Sequence, residues 1–264
     1  MNELLSKISR GKNQLYGKYV IPLIEKQYSF DDGREQMHYL YYKKKSPVLI
    51  IGFQAFNAKG ARYSYVTPLS SVKASRLYIK DDFVPGCGNY YLGRNNRYNI
   101  EEEVYHLIDR TLEETGAVRP IFIGSSKGGY AAVNFGIHYK NSVMIAGSPQ
   151  YLLGTYMHET KKFNKGLEDI VSMPVTDEKI KKLDDRLRDK IRNDPYADTQ
   201  TAYIQYSEKE DGHKEHMVSM IEDMKKAGLN VHCDRQMFTE HSDLKHYFPE
   251  YLKTNLINEI RSCQ

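Results

Sequence analysis

No stretch of this sequence approaches the roughly 20 consecutive apolar residues that a membrane-crossing helix requires, so a helical membrane protein is not expected. The opening residues, MNELLSKISRGKNQLYGKYV, have no apolar core of the kind a secretory leader carries, and the chain is expected to work in the cytoplasm. Cysteine is equally scarce. Cys87, Cys233 and Cys263 are odd in number, far apart and without a CxxC pair, which argues against a disulfide framework and against a zinc or other metal site. Tryptophan is absent, whereas there are 22 tyrosines; tyrosine can stack on a sugar ring, but its commoner use is to line the edge of a core with the hydroxyl in water. Charge of one sign is not concentrated anywhere: 38 basic residues face 34 acidic ones, the net charge is +4, and no basic tail or stripe appears, so nucleic acid is not an expected partner. There is no Pro/Gly/Ser-rich linker either. With 264 residues and 40% hydrophobic content, the expectation is one domain over residues 1–264 with one substantial core.

What is present is an alternation. Short β-prone runs recur at Gln36 to Tyr42, Val48 to Phe53, Arg76 to Lys80, Pro120 to Ile123, Val143 to Ala146, Ala202 to Tyr206 and Leu229 to Cys233. Several are continuously apolar, as strands covered on both faces must be. Helical patterns lie between them. In NIEEEVYHLIDRTLEETG, Asn99 is placed to cap and Glu102 to close a capping box; Val104, Leu107, Ile108 and Leu112 form one face and Gly116 ends it. A second helix is expected directly after Ser126, and a third in HKEHMVSMIEDMKKAG, where Met217, Met220, Ile221 and Met224 share a face. Strand alternating with helix predicts an α/β fold: a mostly parallel sheet with helices on both faces. Residues 151–199 interrupt the rhythm. They are rich in charge, offer only Ile180, Leu183, Leu187 and Ile191 as an apolar stripe, and read as a helical cap or lid inserted between two strands.

The segment PIFIGSSKGGYAAV carries the chemistry. Gly124-Ser125-Ser126-Lys127-Gly128 fits G-x-S-x-G, in which a serine sits on a strained strand-to-helix turn and the flanking small residues let two backbones pass closely. The motif follows an apolar strand and precedes a helix, whose N-terminus points amide N–H groups at the serine. It lacks the layout of a phosphate-binding P-loop, in which lysine and hydroxyl follow the last glycine. A serine nucleophile needs a histidine base held by a carboxylate. In the elbow fold these follow in the order nucleophile, acid, histidine, and the ends of the next two strands supply them. Asp211 in YSEKEDGHKEH is the expected acid, with Glu210 as the alternative because sequence does not fix the turn. His241 in TEHSD is the expected base, since it lies in a polar stretch after the last strand, whereas His246 falls inside the final helix. His213, His216 and His232 read as helix-surface, helix-packing and strand residues. The oxyanion donors are expected to be the backbone N–H of Lys127 and of Gln54, in the loop after VLIIGF, with the Lys127 side chain left to solvent. Arg94 and Arg97, in YLGRNNRYN, are candidates for holding an anionic substrate group.

With these residues in place the chain resembles the α/β-hydrolase superfamily over about residues 46–255. More narrowly, GSSKGGYAA, AGSPQYLLGTY, YSEKEDGHKEH and EHSDLKHYF resemble a branch that contains bacterial capsule-polysaccharide O-acetyltransferases and the acetyltransferase-like component of accessory secretion systems. That resemblance implies acetyl transfer from acetyl-CoA, with no tightly bound cofactor, to a hydroxyl of a sugar or polysaccharide acceptor. It assigns Ser126 as nucleophile, His241 as base and an acid within YSEKED. An esterase or carbohydrate deacetylase with the same triad is the alternative, and a non-catalytic scaffold of a surface-glycan or secretion assembly is a second. Homo-oligomerisation is left open by the sequence.

Overall fold

The computed structural model describes residue 11 and residues 14–263, so the opening stretch read above for a leader lies mostly outside the described residues. Eight strands form one sheet: β1 (Lys26–Ser29), β2 (Gln36–Tyr42), β3 (Val48–Phe53), β4 (Ser75–Ile79), β5 (Arg119–Ser125), β6 (Val143–Gly147), β7 (Thr201–Ser207) and β8 (Asn230–Gln236). Their order is β1-β2-β4-β3-β5-β6-β7-β8. β2 runs antiparallel to β1 and β4, and every pair from β4 through β3 to β8 is parallel.

The apolar strands are sorted between two cores by the period-2 alternation of their side chains. Val48 and Ile50, Ile121 and Ile123, Val143 and Ile145 face one side, where they meet Phe248, Leu252 and Leu256 of the last helix, α7 (Leu244–Arg261). Leu49, Ile51 and Phe53, Phe122, Met144 and Ala146 face the other. There they pack against α1 (Asn99–Thr115), α2 (Lys127–Gly136) and α6 (Ser219–Ala227) through Val104, Leu107, Phe135, Met220 and Met224. Burial on both faces explains why these strands contain almost no polar residue. Among the described residues no helix is long and apolar enough to cross a membrane.

Between β6 and β7 the chain forms α3 (Leu153–Glu159), α4 (Asn164–Val171) and α5 (Asp177–Arg192). Ile180, Leu183, Leu187 and Ile191 are the buried stripe of α5. An ionic cluster ties this helix to the sheet's own layer: Glu101 of α1, only 3% exposed, is paired with Arg186 and Lys190 and accepts from the Asn134 amide at 2.6 Å. Burial alone would raise the Glu101 carboxyl, but Lys190 and Arg186 hold it below its ordinary range.

Four local expectations are corrected. β1, KQYS, has no place in the sequence reading because it is four largely exposed residues with no apolar alternation. β8 runs to Gln236 rather than ending near Cys233; it is an edge strand whose far end pairs with β7 through polar residues. Asn99 does not cap α1 with its side chain: Tyr98 occupies the cap position in a left-handed conformation, and Asn99 Oδ1 accepts instead from the Arg94 amide at 3.4 Å. Five tyrosines, Tyr78, Tyr90, Tyr91, Tyr130 and Tyr151, lie fully inside the protein rather than at a core edge.

Candidate active site

Ser126 stands between the last residue of β5 and the first of α2 with φ 53° and ψ −121°. A non-glycine residue keeps such a conformation only where its surroundings enforce it. The enforcement comes from the two flanking glycines. A Cβ on Gly124 would lie 2.1 Å from the Gly128 carbonyl oxygen, and one on Gly128 would lie 2.7 Å from that of Phe53, so strand, turn and helix can approach only without side chains there. The Ser126 N–H donates to the Gly147 carbonyl at 2.7 Å, which fixes the turn to β6.

The serine hydroxyl so displayed lies 2.7 Å from His241 Nε2. His241 opens a short helical turn, His241–Asp243, that leads from β8 into α7. Its other nitrogen, Nδ1, is hydrogen-bonded to Glu210 Oε1, and Glu210 Oε2 accepts from Ser148 Oγ at 2.8 Å. The structure therefore brings Ser126, His241 and the alternative acid together, and Asp211 does not join them. Ser148, directly after β6, engages one Glu210 oxygen and leaves the other for the imidazole. Asp211 stands one residue further along the turn, beside Gly212 in a left-handed conformation, and lines the adjoining cleft.

The expected oxyanion donors divide. The Lys127 amide, first in α2, has no acceptor among the described residues. That of Gln54 is already committed, donating at 2.9 Å to Tyr91 Oη, which itself donates to the Ile79 carbonyl at 3.0 Å. The next amide, Ala55 N–H, donates to Ser64 Oγ at 3.0 Å. The Lys127 side chain is not solvated. It is 1% exposed and its Nζ lies 2.9 Å from Asp81 Oδ2, whose carboxylate also accepts the Asn89 and Tyr90 amides at 3.1 and 2.8 Å. The basic stem passes under the elbow because a buried anion waits there.

Arg94 and Arg97 do not reach the site. Arg94 donates to the Phe83 carbonyl and is paired with Glu35 and Asp169 at 3.2 and 3.6 Å, and Arg97 is exposed. Asp31, Glu103 and His106, which could gather around a cation, also stand apart from the cleft.

The cleft beside the triad holds about 40 Å³ of free space and is lined by Gln150, Tyr156, Glu210, His213, His216 and His241, among others. Three of these are functional candidates that sequence reasoning missed. Gln150, 3% exposed, donates from Nε2 to Ser126 Oγ and to the Ser148 carbonyl, both at 3.2 Å. His216 accepts the Leu152 N–H on Nδ1 at 3.1 Å, and burial pushes its pKa below the usual histidine value, which favours the neutral ring. His213 stacks on Tyr206 with 5.2 Å between ring centroids. A signal for Gln150 was available: GSPQ follows the central strand next to the elbow strand, where parallel-sheet sites collect.

The profile of the accessory Sec system GspB-transporter family matches residues 5–252, and the chain belongs to that family. No protein of curated function matches it by sequence. Among solved structures it is similar to the capsule O-acetyltransferase of Neisseria meningitidis serogroup A, at 20% identity and TM-score 0.66, over 86% of this chain and 92% of that one. A variant of that enzyme solved in complex with CoA matches at 19% identity and TM-score 0.67, over 91% and 98%. The glycosylation-associated protein complex Gap123 from Streptococcus agalactiae matches at 17% identity and TM-score 0.74, over 89% of this chain but 47% of that one. An S-formylglutathione hydrolase from Agrobacterium tumefaciens matches at 10% identity and TM-score 0.58, over 87% and 92%. These likenesses show the fold, that of the α/β-hydrolases.

Proposed function

We propose that this member of the accessory Sec system GspB-transporter family is a serine O-acyltransferase that moves an acetyl group from acetyl-CoA to a hydroxyl of a bacterial surface polysaccharide. The observation that carries the reading is the unbroken relay from Ser126 Oγ through His241 to Glu210 and Ser148. In the first half-reaction, Oγ attacks the thioester carbonyl as His241 Nε2 takes the hydroxyl proton. Glu210, an acceptor at Nδ1, holds the imidazole with Nε2 facing the serine and stabilises the imidazolium that forms. The Lys127 N–H, free and at a helix N-terminus, donates to the developing oxyanion. The C–S bond breaks, the proton passes from His241 to the departing thiolate, and the acyl group remains on Ser126. In the second half-reaction a sugar hydroxyl gives its proton to His241 and attacks the acyl carbonyl; the bond from that carbon to Ser126 Oγ breaks, His241 returns the proton to Oγ, and the sugar ester leaves.

The capsule O-acetyltransferase with the same fold, one variant of which is solved with CoA, supports the donor. Residues 151–199 serve as the cap over this site, and the three free cysteines fit a reducing cytoplasm. One observation favours hydrolysis as a second reading: the His241 side chain is 38% exposed, so water reaches the base unless an acceptor or the cap excludes it.

Labelling with a fluorophosphonate tests the shared half of both readings. Covalent labelling of the wild type that disappears in Ser126→Ala is expected; an unlabelled wild type, or undiminished labelling of the variant, removes both. Acetyl-CoA turnover with and without polysaccharide then separates them. Transfer requires acceptor-dependent release of CoA, whereas release that ignores the acceptor establishes the esterase.

A further inference from the structure

We infer that the Gln150 side-chain amide supplies the second oxyanion donor of this site, in place of a backbone N–H from the loop after β3; the inference rests on Ser126 being the nucleophile. The two amides that directly follow β3 are both spent, Gln54 N–H on the Tyr91 hydroxyl and Ala55 N–H on Ser64. Of the two backbone donors expected from the sequence, that leaves the Lys127 amide. An oxyanion of a tetrahedral intermediate needs donors aimed from more than one direction.

Gln150 Nε2 is already 3.2 Å from Ser126 Oγ. The oxyanion hangs on the carbon that bonds to Oγ, two bonds from an atom this amide reaches. The orientation of the amide is set by the Ser148 carbonyl, which can only accept and so faces the nitrogen, at 3.2 Å. The backbone that carries it is pinned on both sides, two residues before and one residue after. Ser148 on one side is held in a left-handed conformation at φ 36° with its N–H on the Gln205 carbonyl, and Tyr151 on the other is fully buried with its hydroxyl on Asp223 at 2.6 Å. Among the described residues Gln150 Oε1 is buried without a partner, so no other bond there draws the amide away from the serine. In the resting enzyme Nε2 donates to Oγ while the hydroxyl faces His241. During attack the Oγ lone pair is spent on the new bond, and the same N–H turns to the oxygen that gains the charge.

The test compares wild type, Gln150→Ala and the nearly isosteric Gln150→Met on p-nitrophenyl acetate, together with binding of a trifluoromethyl ketone that forms a tetrahedral adduct on the serine. Loss of one donor should lower kcat by ~10²–10³ with little change in KM. Affinity for the ketone should fall by the same factor, and the histidine limb of the pH–rate profile should stay where it is. Wild-type kcat within about threefold in either folded variant overturns the inference, as does a lost kcat with unchanged ketone affinity, which reduces Gln150 to a positioning residue. If alanine prevents folding, as judged by circular dichroism, the methionine variant decides. A wild type that fluorophosphonate fails to label removes the underlying nucleophile as well, and that outcome is distinct from a labelled wild type with indifferent Gln150 variants.

Discussion

Replacing Asp81 with alanine strips the anion from a lysine that has no route to water. Lys127 and Asp81 are 1% and 0% exposed, 2.9 Å apart, and the carboxylate also satisfies the Asn89 and Tyr90 amides. Removing one partner of a buried ion pair costs about 3–5 kcal/mol, because the remaining charge is left uncompensated. The two orphaned amides push the loss toward the upper end. Against a total stability of ~5–15 kcal/mol for a domain, Asp81→Ala removes a third or more. With a urea m-value of ~1–3 kcal/mol per molar, the unfolding midpoint should drop by more than ~1 M. Lys127→Met should cost a similar amount. The combination Asp81→Ala with Lys127→Met removes both charges together and should lose clearly less than the sum of the two single changes. Urea unfolding of the four proteins, followed by circular dichroism, measures that coupling. Losses that simply add would refute the reasoning, since they would mean that neither charge depends on the other.

Other outcomes follow from the site and the packing. Glu210→Gln should lower kcat for acetyl release by about three to four orders of magnitude, as loss of a triad carboxylate does, while Asp211→Asn stays within severalfold of wild type; steady-state kinetics that reverse the order would return the acid to Asp211. Gly124→Ala places a methyl 2.1 Å from a backbone oxygen and should abolish fluorophosphonate labelling, in protein that either misfolds or carries a displaced serine. His216 has a folded-state pKa depressed by burial below its ordinary 6.5. Its stabilising contribution is therefore present above about pH 6.5 and lost as pH falls through the depressed value, because the unfolded chain binds the proton first. Thermal unfolding across pH 4–8 should show that slope, and His216→Leu should flatten it.

The parts of this protein that could be read from sequence are those decided by local sterics and by chain order. GSSKGG dictates an elbow because the crowding lies within five residues, and His241 is singled out by following the last strand and preceding the last helix. The choice between Glu210 and Asp211 is different. Glu210 is the one that reaches His241, with its other oxygen on Ser148 just past β6, and adjacent acids in a turn carry no trace of that partner. Lys127 reads as solvated because lysines usually are; its burial is explained only by Asp81, 46 residues away in the chain. The Gln54 amide reads as available until Tyr91 folds under it. In each case the missing information is the identity of a long-range polar partner, which periodicity does not encode.

Glu101 has a practical consequence for anyone who would re-engineer residues 151–199. A stretch spliced between two strands invites loop exchange or deletion, yet here the two cations that neutralise a buried carboxylate of the main sheet layer, Arg186 and Lys190, sit on that stretch. Cutting it out leaves a carboxylate without its counter-ions in the heart of the remaining protein. A shortened or chimaeric version must therefore change Glu101 in the same step, or import a helix that brings its own basic pair.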